Sequence, residues 1–191
     1  MKRSHSLVSG VLLAALCAAA PAASAGDPEN IIALTTTADV MDGLDHLCSL
    51  REALSNANTN ALFSPAVGEC AAGSASITDV IVLAMSATYN LSIAGSGDNQ
   101  GDLDMIAQPL IDGVGLRIRP IGGVGTAPVI HQQVAGDRVM ELHGANVDLV
   151  DFVLSGGSID GAGGGIFNDE GVLSLSGMVV SGNSANAGGG I

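Results

Sequence analysis

The segment from Asp98 to Asp104 places three carboxylates and an amide within a short loop that contains glycine. The side chains that we take as candidate ligands are those of Asp98, Asn99, Asp102 and Asp104. Calcium prefers hard oxygen ligands of this kind, although the spacing is not that of an EF-hand and no bidentate glutamate follows. The sequence therefore leaves two interpretations open, a calcium site and a solvated acidic turn.

Two arginines form a second candidate site. Arg117 and Arg119 are two residues apart in an alternating, strand-like segment, so their side chains are expected on one outer face. Arg138 is expected to join them from the next turn. Such a row could pair with the carboxylates of an acidic polysaccharide. The other interpretation is that the arginines pair with the many acidic residues of the chain itself.

No residue set indicates catalysis, and we assign no catalytic residue. His131 and His143 lack the Gly-x-Ser-x-Gly motif of a serine hydrolase. A glycosidase needs two facing carboxylates about 5 to 9.5 Å apart. Carboxylate pairs that are close in sequence exist, namely Asp148 with Asp151 and Asp169 with Glu170. Nothing in the sequence singles out one of these pairs.

Residues 1–25 have the pattern of a secretory signal peptide. Residues 2–5 carry positive charge, residues 7–20 are an apolar run, and Ala23-Ser24-Ala25 is typical of a cleavage site. The run is shorter than the roughly 20 residues that a membrane-spanning helix needs. Elsewhere the sequence contains no candidate span. We therefore expect an exported protein that is secreted, periplasmic or on the outer surface.

Removal of residues 1–25 would leave two of the three cysteines, Cys48 and Cys70. An even pair in an exported chain favours a disulfide. Such a bond would contribute about 3 kcal/mol by restricting the unfolded chain. The alternative is two free thiols.

The composition excludes several classes of protein. The chain of 191 residues is 47% hydrophobic but only 2% aromatic, and it contains 27 glycines. Disorder requires a lower hydrophobicity, whereas many short strands and tight turns suit this mixture. Beyond the predicted signal peptide there are four arginines and no lysine against 19 acidic residues. Such a charge repels phosphate backbones, so we expect no nucleic-acid partner.

One helix is predicted, starting after Ser49. Ser49 and Glu52 have the spacing of a capping box. The apolar residues that follow at helical spacing are Leu50, Ala53, Leu54 and Ala57. The residues expected to end the helix are Asn56, Asn58 and Asn60, and Asn56 is expected to face solvent.

The remainder of the chain is predicted to consist of short strands that repeat. Gly163-Gly164-Gly165-Ile166 recurs as Gly188-Gly189-Gly190-Ile191, and residues 147–149 and 152–156 resemble residues 173–175 and 178–182. Repeats of this length that combine β-type segments with glycine turns are typical of a solenoid. The sequence thus predicts an all-β solenoid, a parallel β-helix, rather than a β-sandwich.

Residues 48–54, Cys-Ser-Leu-Arg-Glu-Ala-Leu, followed by Ala57-Asn58, resemble the signature of the CSLREA domain. That domain occurs at the N-terminus of secreted bacterial right-handed β-helix proteins. The resemblance extends roughly from Ala33 to Ile191 and implies a fold and an exported location, but no reaction. It agrees with a helix that covers the open end of the solenoid core, with Ser49, Leu50, Glu52 and Leu54 as its structural residues.

These observations divide the chain into residues 1–25 as a signal peptide, residues 26–76 as a cap region and residues 77–191 as coils of a β-helix. The repeat stops at Ile191 without a polar terminal turn, which indicates a fragment that can self-associate through its last coil. We expect a non-catalytic surface or secreted protein that is structural, adhesive or glycan-binding, with extracellular polysaccharide or a cell surface as partner. The alternative is part of a carbohydrate-active enzyme, a lyase or glycosidase. Calcium is the only cofactor that the sequence suggests.

Overall fold

The computed structural model describes residues 28–95, 100–107 and 115–191, and the signal peptide predicted over residues 1–25 lies outside them. The one helix of these residues is α1, Leu50–Thr59. The strands before residue 140 are β1 Glu29–Ala33, β2 Thr78–Leu83, β3 Thr88–Leu91, β4 Leu103–Ile106, β5 Leu116–Pro120 and β6 Val129–Gln132. The later strands are β7 Met140–His143, β8 Asn146–Val150, β9 Val153–Ser155, β10 Ser158–Ala162, β11 Ile166–Asp169, β12 Val172–Ser176, β13 Val179–Val180 and β14 Ser184–Ala187.

The strands form parallel sheets, and the predicted all-β class is confirmed at this level. The first sheet has the order β1-β2-β5-β8-β12, the second β13-β9-β6-β3 and the third β11-β7-β4, while β10 pairs with β14. Each ladder between these strands is parallel. β1 and β2 are neighbours in the first sheet, and from β2 onward successive strands along the chain belong to different sheets.

Aliphatic side chains in register fill the space between the sheets. Ile32, Ile81, Ile118 and Leu149 occupy one row of the first sheet and have no exposed surface. The core includes side chains of all three larger sheets and the apolar face of α1. Burial of such rows against one another is the main source of stability in a chain with few aromatic residues.

The repeated Gly-Gly-Gly-Ile segments lie directly against one another. The amides of Gly164 and Gly165 donate to the carbonyls of Gly188 and Gly189 at 3.1 and 3.0 Å. A Cβ atom on Gly165 would lie 2.5 Å from the carbonyl oxygen of Gly190. Glycine is therefore required at this position because the two backbones approach too closely for a side chain.

Helix α1 ends at the last of the three asparagines that the sequence predicts to end it. Asn56 and Asn58 lie inside the helix, and Asn60 ends it with a left-handed backbone (φ 53°) and an amide that donates to the carbonyl of Asn56. The prediction that Asn56 faces solvent is wrong, since Asn56 is 1% exposed. Its side chain has partners inside the fold, which a helical period alone cannot show. Among the described residues, no helix has the length and apolar character to cross a membrane.

Candidate functional site

The capping box at the start of α1 is formed by Ser49 and Glu52. The Ser49 hydroxyl accepts from the Glu52 amide at 3.2 Å, and Glu52 Oε2 accepts from the Ser49 amide at 2.9 Å. The second oxygen of Glu52 accepts from the amide of Asp42 at 2.7 Å. Both oxygens of this buried carboxylate are thus satisfied, which fixes the preceding loop to the helix.

The apolar face of α1 lies on the core. Leu50 and Leu54 are 3% and 2% exposed and belong to the same cluster as the strand residues. The helix contacts β2 of the first sheet and β4 of the third sheet. In each of these sheets, that strand is the first one after the helix along the chain. Leu50 and Leu54 therefore cover apolar side chains that would otherwise meet water at this end of the sheets.

Arg51 connects the helix to the segment that carries the acidic residues. Its guanidinium forms an ion pair with Asp39, and the two side chains are 2% and 4% exposed. Nη2 donates to the carbonyl of Gly101 at 2.6 Å and Nη1 to the carbonyl of Asp102 at 3.2 Å. A buried arginine is tolerated only when it is paired and hydrogen-bonded in this way.

Two asparagines of α1 hold neighbouring backbone segments. Asn58 donates to the carbonyl of Asp104 at 2.7 Å and accepts from the amide of Ile106 at 3.2 Å, so it satisfies the outer edge of strand β4. Asn56 donates to the carbonyls of Cys70 and Ala71 at 3.3 and 2.9 Å. The two side chains thus make the hydrogen bonds that a neighbouring strand or turn would otherwise make with these backbone groups.

Cys48 and Cys70 form a disulfide, as the sequence predicts, with 22 residues of separation. Both cysteines are buried next to α1. The bond joins the residue before the helix cap to the loop that Asn56 also holds. The start of α1 and this loop are thereby fixed to each other.

The predicted calcium loop is only partly inside the described residues. Asp98 and Asn99 lie outside them, whereas Asp102 directly precedes strand β4 and Asp104 is the second residue of that strand. Burial, together with the charges of Asp104, Asp137 and Glu141, raises the pKa of Asp102 to about 7. The side chains of Asp102 and Asp104 are 14% and 10% exposed. These two residues are thus not part of a freely solvated turn.

Asp104 instead lies beside two residues of strand β7. His143 Nε2 is 3.7 Å from Asp104 Oδ1 and 3.7 Å from Glu141 Oε1. Arg138 pairs with the other oxygen of Glu141 and covers the ring of Phe167, 4.7 Å from its centroid. Sequence reasoning missed this group because Asp104 and Glu141, partners in the ladder, are far apart in the chain. The alternation of Glu141 and His143 within one strand was the only local signal.

The arginines predicted to bind a ligand pair with acidic residues of the chain. Arg117 donates to Glu29 at 2.6 Å and to Asp148 at 2.8 Å, and Arg119 donates to Glu29 at 3.2 Å. These side chains are about one third exposed. The two arginines therefore lie in an ion-pair network on the outer face of the first sheet.

Arg138 does not join this network, contrary to the sequence expectation. It precedes strand β7 and pairs with Glu141 in the third sheet. The number of residues between paired strands of a sheet differs from one pass of the chain to the next. Sequence spacing alone therefore does not place Arg138 correctly.

Comparisons of the chain with family models, with curated proteins and with solved structures find no match.

Proposed function

We propose that the chain is an exported right-handed parallel β-helix of the CSLREA type that acts as a non-catalytic scaffold. The strand order supports this proposal more than any other observation. Each pass of the chain adds one strand to the first sheet, in the order β1, β2, β5, β8 and β12, always in the parallel direction. A β-sandwich is built mainly from antiparallel strands. Parallel crossovers are almost always right-handed, which supports the handedness.

The cap contributes a second argument. Helix α1 bonds to the edge of β4 through Asn58 and covers core residues with Leu50 and Leu54. Repeat proteins need such capping elements because an end turn otherwise exposes the shared core. In the proposal, α1 and the disulfide close the first turn of the scaffold.

The proposed partner is an extracellular polysaccharide or a cell surface. The strong negative charge of the chain, formally −13, favours partners other than anionic polymers. The ion pairs of Arg117 and Arg119 with Glu29 and Asp148 further reduce the positive potential available to an acidic glycan. We therefore propose neutral polysaccharide as the class to test first.

Export and binding can be tested together. Expression with the native leader should give a periplasmic or secreted chain whose intact mass begins at Gly26. The purified chain should co-sediment with insoluble neutral polysaccharide and release no soluble sugar from it. An unprocessed cytoplasmic chain would contradict export, and measurable release of sugar would contradict the non-catalytic role. Failure to bind any polysaccharide or cell envelope fraction would contradict the proposed partner.

A further inference from the structure

Three side chains with different donor atoms converge on the third sheet. Asp104 of β4 and Glu141 of β7 are directly paired in the ladder. His143 is two residues beyond Glu141, so its side chain is on the same face of the strand. One donor atom from each residue lies within 4.8 Å of the other two. The group therefore combines two carboxylates and one imidazole at a single point.

The backbone that carries these donors is fixed by hydrogen bonds on several sides. Asn58 holds the carbonyl of Asp104 at 2.7 Å. The carbonyl of His143 accepts from the amide of Ala107 at 2.8 Å, which extends the pairing of β4 with β7. Pre-organised donors lose little freedom when they bind a ligand, so this arrangement favours binding.

Arg138 directs the carboxylate of Glu141. Its Nη1 pairs with Glu141 Oε2, while Oε1 of the same carboxylate is the oxygen that lies 3.7 Å from His143. The guanidinium is itself held over Phe167. An outer partner that orients a ligating carboxylate in this way is common around metal ions.

The local charge also favours a cation. Asp102 lies next to Arg138, with Nε of the arginine 3.9 Å from its carboxylate. Glu141 pairs with Arg138, and Asp104 brings a second carboxylate to the same point. The side chains of Asp104 and Glu141 are 10% and 19% exposed, so solvent screens them only in part. A divalent ion would be attracted by these two carboxylates.

The geometry points to a divalent transition-metal site formed by Asp104, Glu141 and His143, with Zn²⁺ as its ion. Zinc binds imidazole nitrogen and carboxylate oxygen at about 2.0–2.2 Å, and tetrahedral donors at that distance are about 3.4 Å apart. The observed separations of 3.7 Å from His143 need only a small contraction. Calcium is disfavoured because it takes oxygen ligands only. The side chain of His143 is 44% exposed, which leaves access from solvent for a further ligand.

A second acidic group in the structure provides a contrast. Asp45, Glu52 and Glu69 also approach one another, but the group contains no imidazole. Glu52 is committed to two backbone amides of the helix cap, and Glu69 Oε1 accepts from the amide of His46 at 2.9 Å. This second group fixes a loop and is not proposed as a metal site.

Calorimetric titration of the tag-free, chelator-treated chain with Zn²⁺ tests the proposal. We expect one ion per chain, and His143→Ala and Glu141→Gln should each weaken the affinity at least about tenfold. Glu170→Gln removes an exposed charge from the loop after β11 and should leave the affinity unchanged. An excess of Ca²⁺ should not displace the ion.

Circular dichroism of the metal-free variants separates loss of the site from loss of the fold. His143→Ala should retain the spectrum and melting temperature of the metal-free parent, since the imidazole is partly exposed. Addition of Zn²⁺ should then raise the melting temperature of the parent but not of His143→Ala. Zinc binding that persists unchanged in His143→Ala, effective competition by Ca²⁺, or no binding below millimolar concentration would each overturn the proposal.

Discussion

Arg51 is a buried charge that forms an ion pair with Asp39. Removal of one member of a buried pair leaves the other without compensation, which costs about 3–5 kcal/mol. Arg51→Ala should therefore lower the free energy of unfolding by about that amount in urea denaturation. Arg119→Ala is the matched control, because its pair with Glu29 is about one third exposed and should contribute less than about 1 kcal/mol. Equal losses in the two variants would contradict this interpretation of Arg51.

Asp79 should make stability depend on pH. Burial raises the pKa of this carboxyl above its ordinary value of 3.8, and hydrogen bonds from Asn30 and Ser74 oppose the rise only in part. The folded chain thus retains a proton that the unfolded chain has lost. The contribution of Asp79 to stability must then decrease as the pH rises from about 3.8 through the raised pKa of the folded state.

Asp79→Asn should remove this pH dependence, because the amide stays neutral and keeps an oxygen to accept the same hydrogen bonds. Urea denaturation of both chains across the acidic range provides the measurement. The stability of the variant relative to the parent should increase as the pH rises. Parallel pH profiles would show that Asp79 titrates alike in the folded and unfolded chains.

At the residue scale, the sequence reveals interactions that are local. The pairing of Ser49 with Glu52 spans three residues, and the pairing of Cys48 with Cys70 follows from the count of cysteines. The convergence of Asp104 with His143 depends instead on the register of two strands, which no local pattern specifies. Buried polar residues of this kind are recognised only once their backbone partners are known.

Leu54 is the residue of helix α1 that best tests the cap. Truncation of a buried leucine costs about 2–5 kcal/mol, and Leu54 is 2% exposed. Leu54→Ala should therefore reduce the free energy of unfolding within that range, as measured in urea. Ser55→Ala, on the less buried side of the helix, should change it by less than about 0.5 kcal/mol. A Leu54→Ala chain as stable as the parent would show that the helix is not a cap.

At the element scale, the offset between the repeated segments decreases by one residue near the end of the chain, and a change in strand pairing causes this decrease. Ser158 pairs with Ser184 and Ile159 with Ala185, but Ala162 pairs with Ala187. One extra residue of β10 is therefore accommodated by a register shift between Ile159 and Ala162, as in a β-bulge. The sequence contains both offsets, but only the paired strands show where one changes into the other.

The last strands of the described chain expose apolar side chains. Val172, Leu175 and Val179 are 67%, 39% and 51% exposed. Uncovered strand edges with apolar residues promote association between chains. We expect the chain of residues 1–191 to self-associate reversibly in sedimentation experiments, and Val179→Lys to reduce that association. A parent chain that remains monomeric at high concentration would contradict the prediction.

At the scale of the whole molecule, the all-β class was predictable from the last third of the chain alone. In the first sheet, the partners Val147 and Leu173 preserve the offset of the sequence repeat. The partners Asp79 and Leu116 are further apart along the chain than Leu116 and Val147, which in turn are further apart than Val147 and Leu173. Loops of different lengths between the strands cause this variation, so the earlier passes show no fixed period. For these earlier passes, we infer stacking only from the register of the paired strands.

A distance along one row of paired residues in the first sheet tests the central claim, which is that successive passes of the chain stack in parallel register. Ile31, Val80, Arg117, Asp148 and Ser174 are consecutive partners in the first sheet. Four strand spacings of about 4.8 Å separate the ends of this row by about 19 Å. Pulsed electron paramagnetic resonance of labels at Ile31→Cys and Ser174→Cys, with the unsubstituted chain as the labelling control, should give one population near that distance. A distance about twice as long or longer, or several unrelated populations, would contradict the stacked fold.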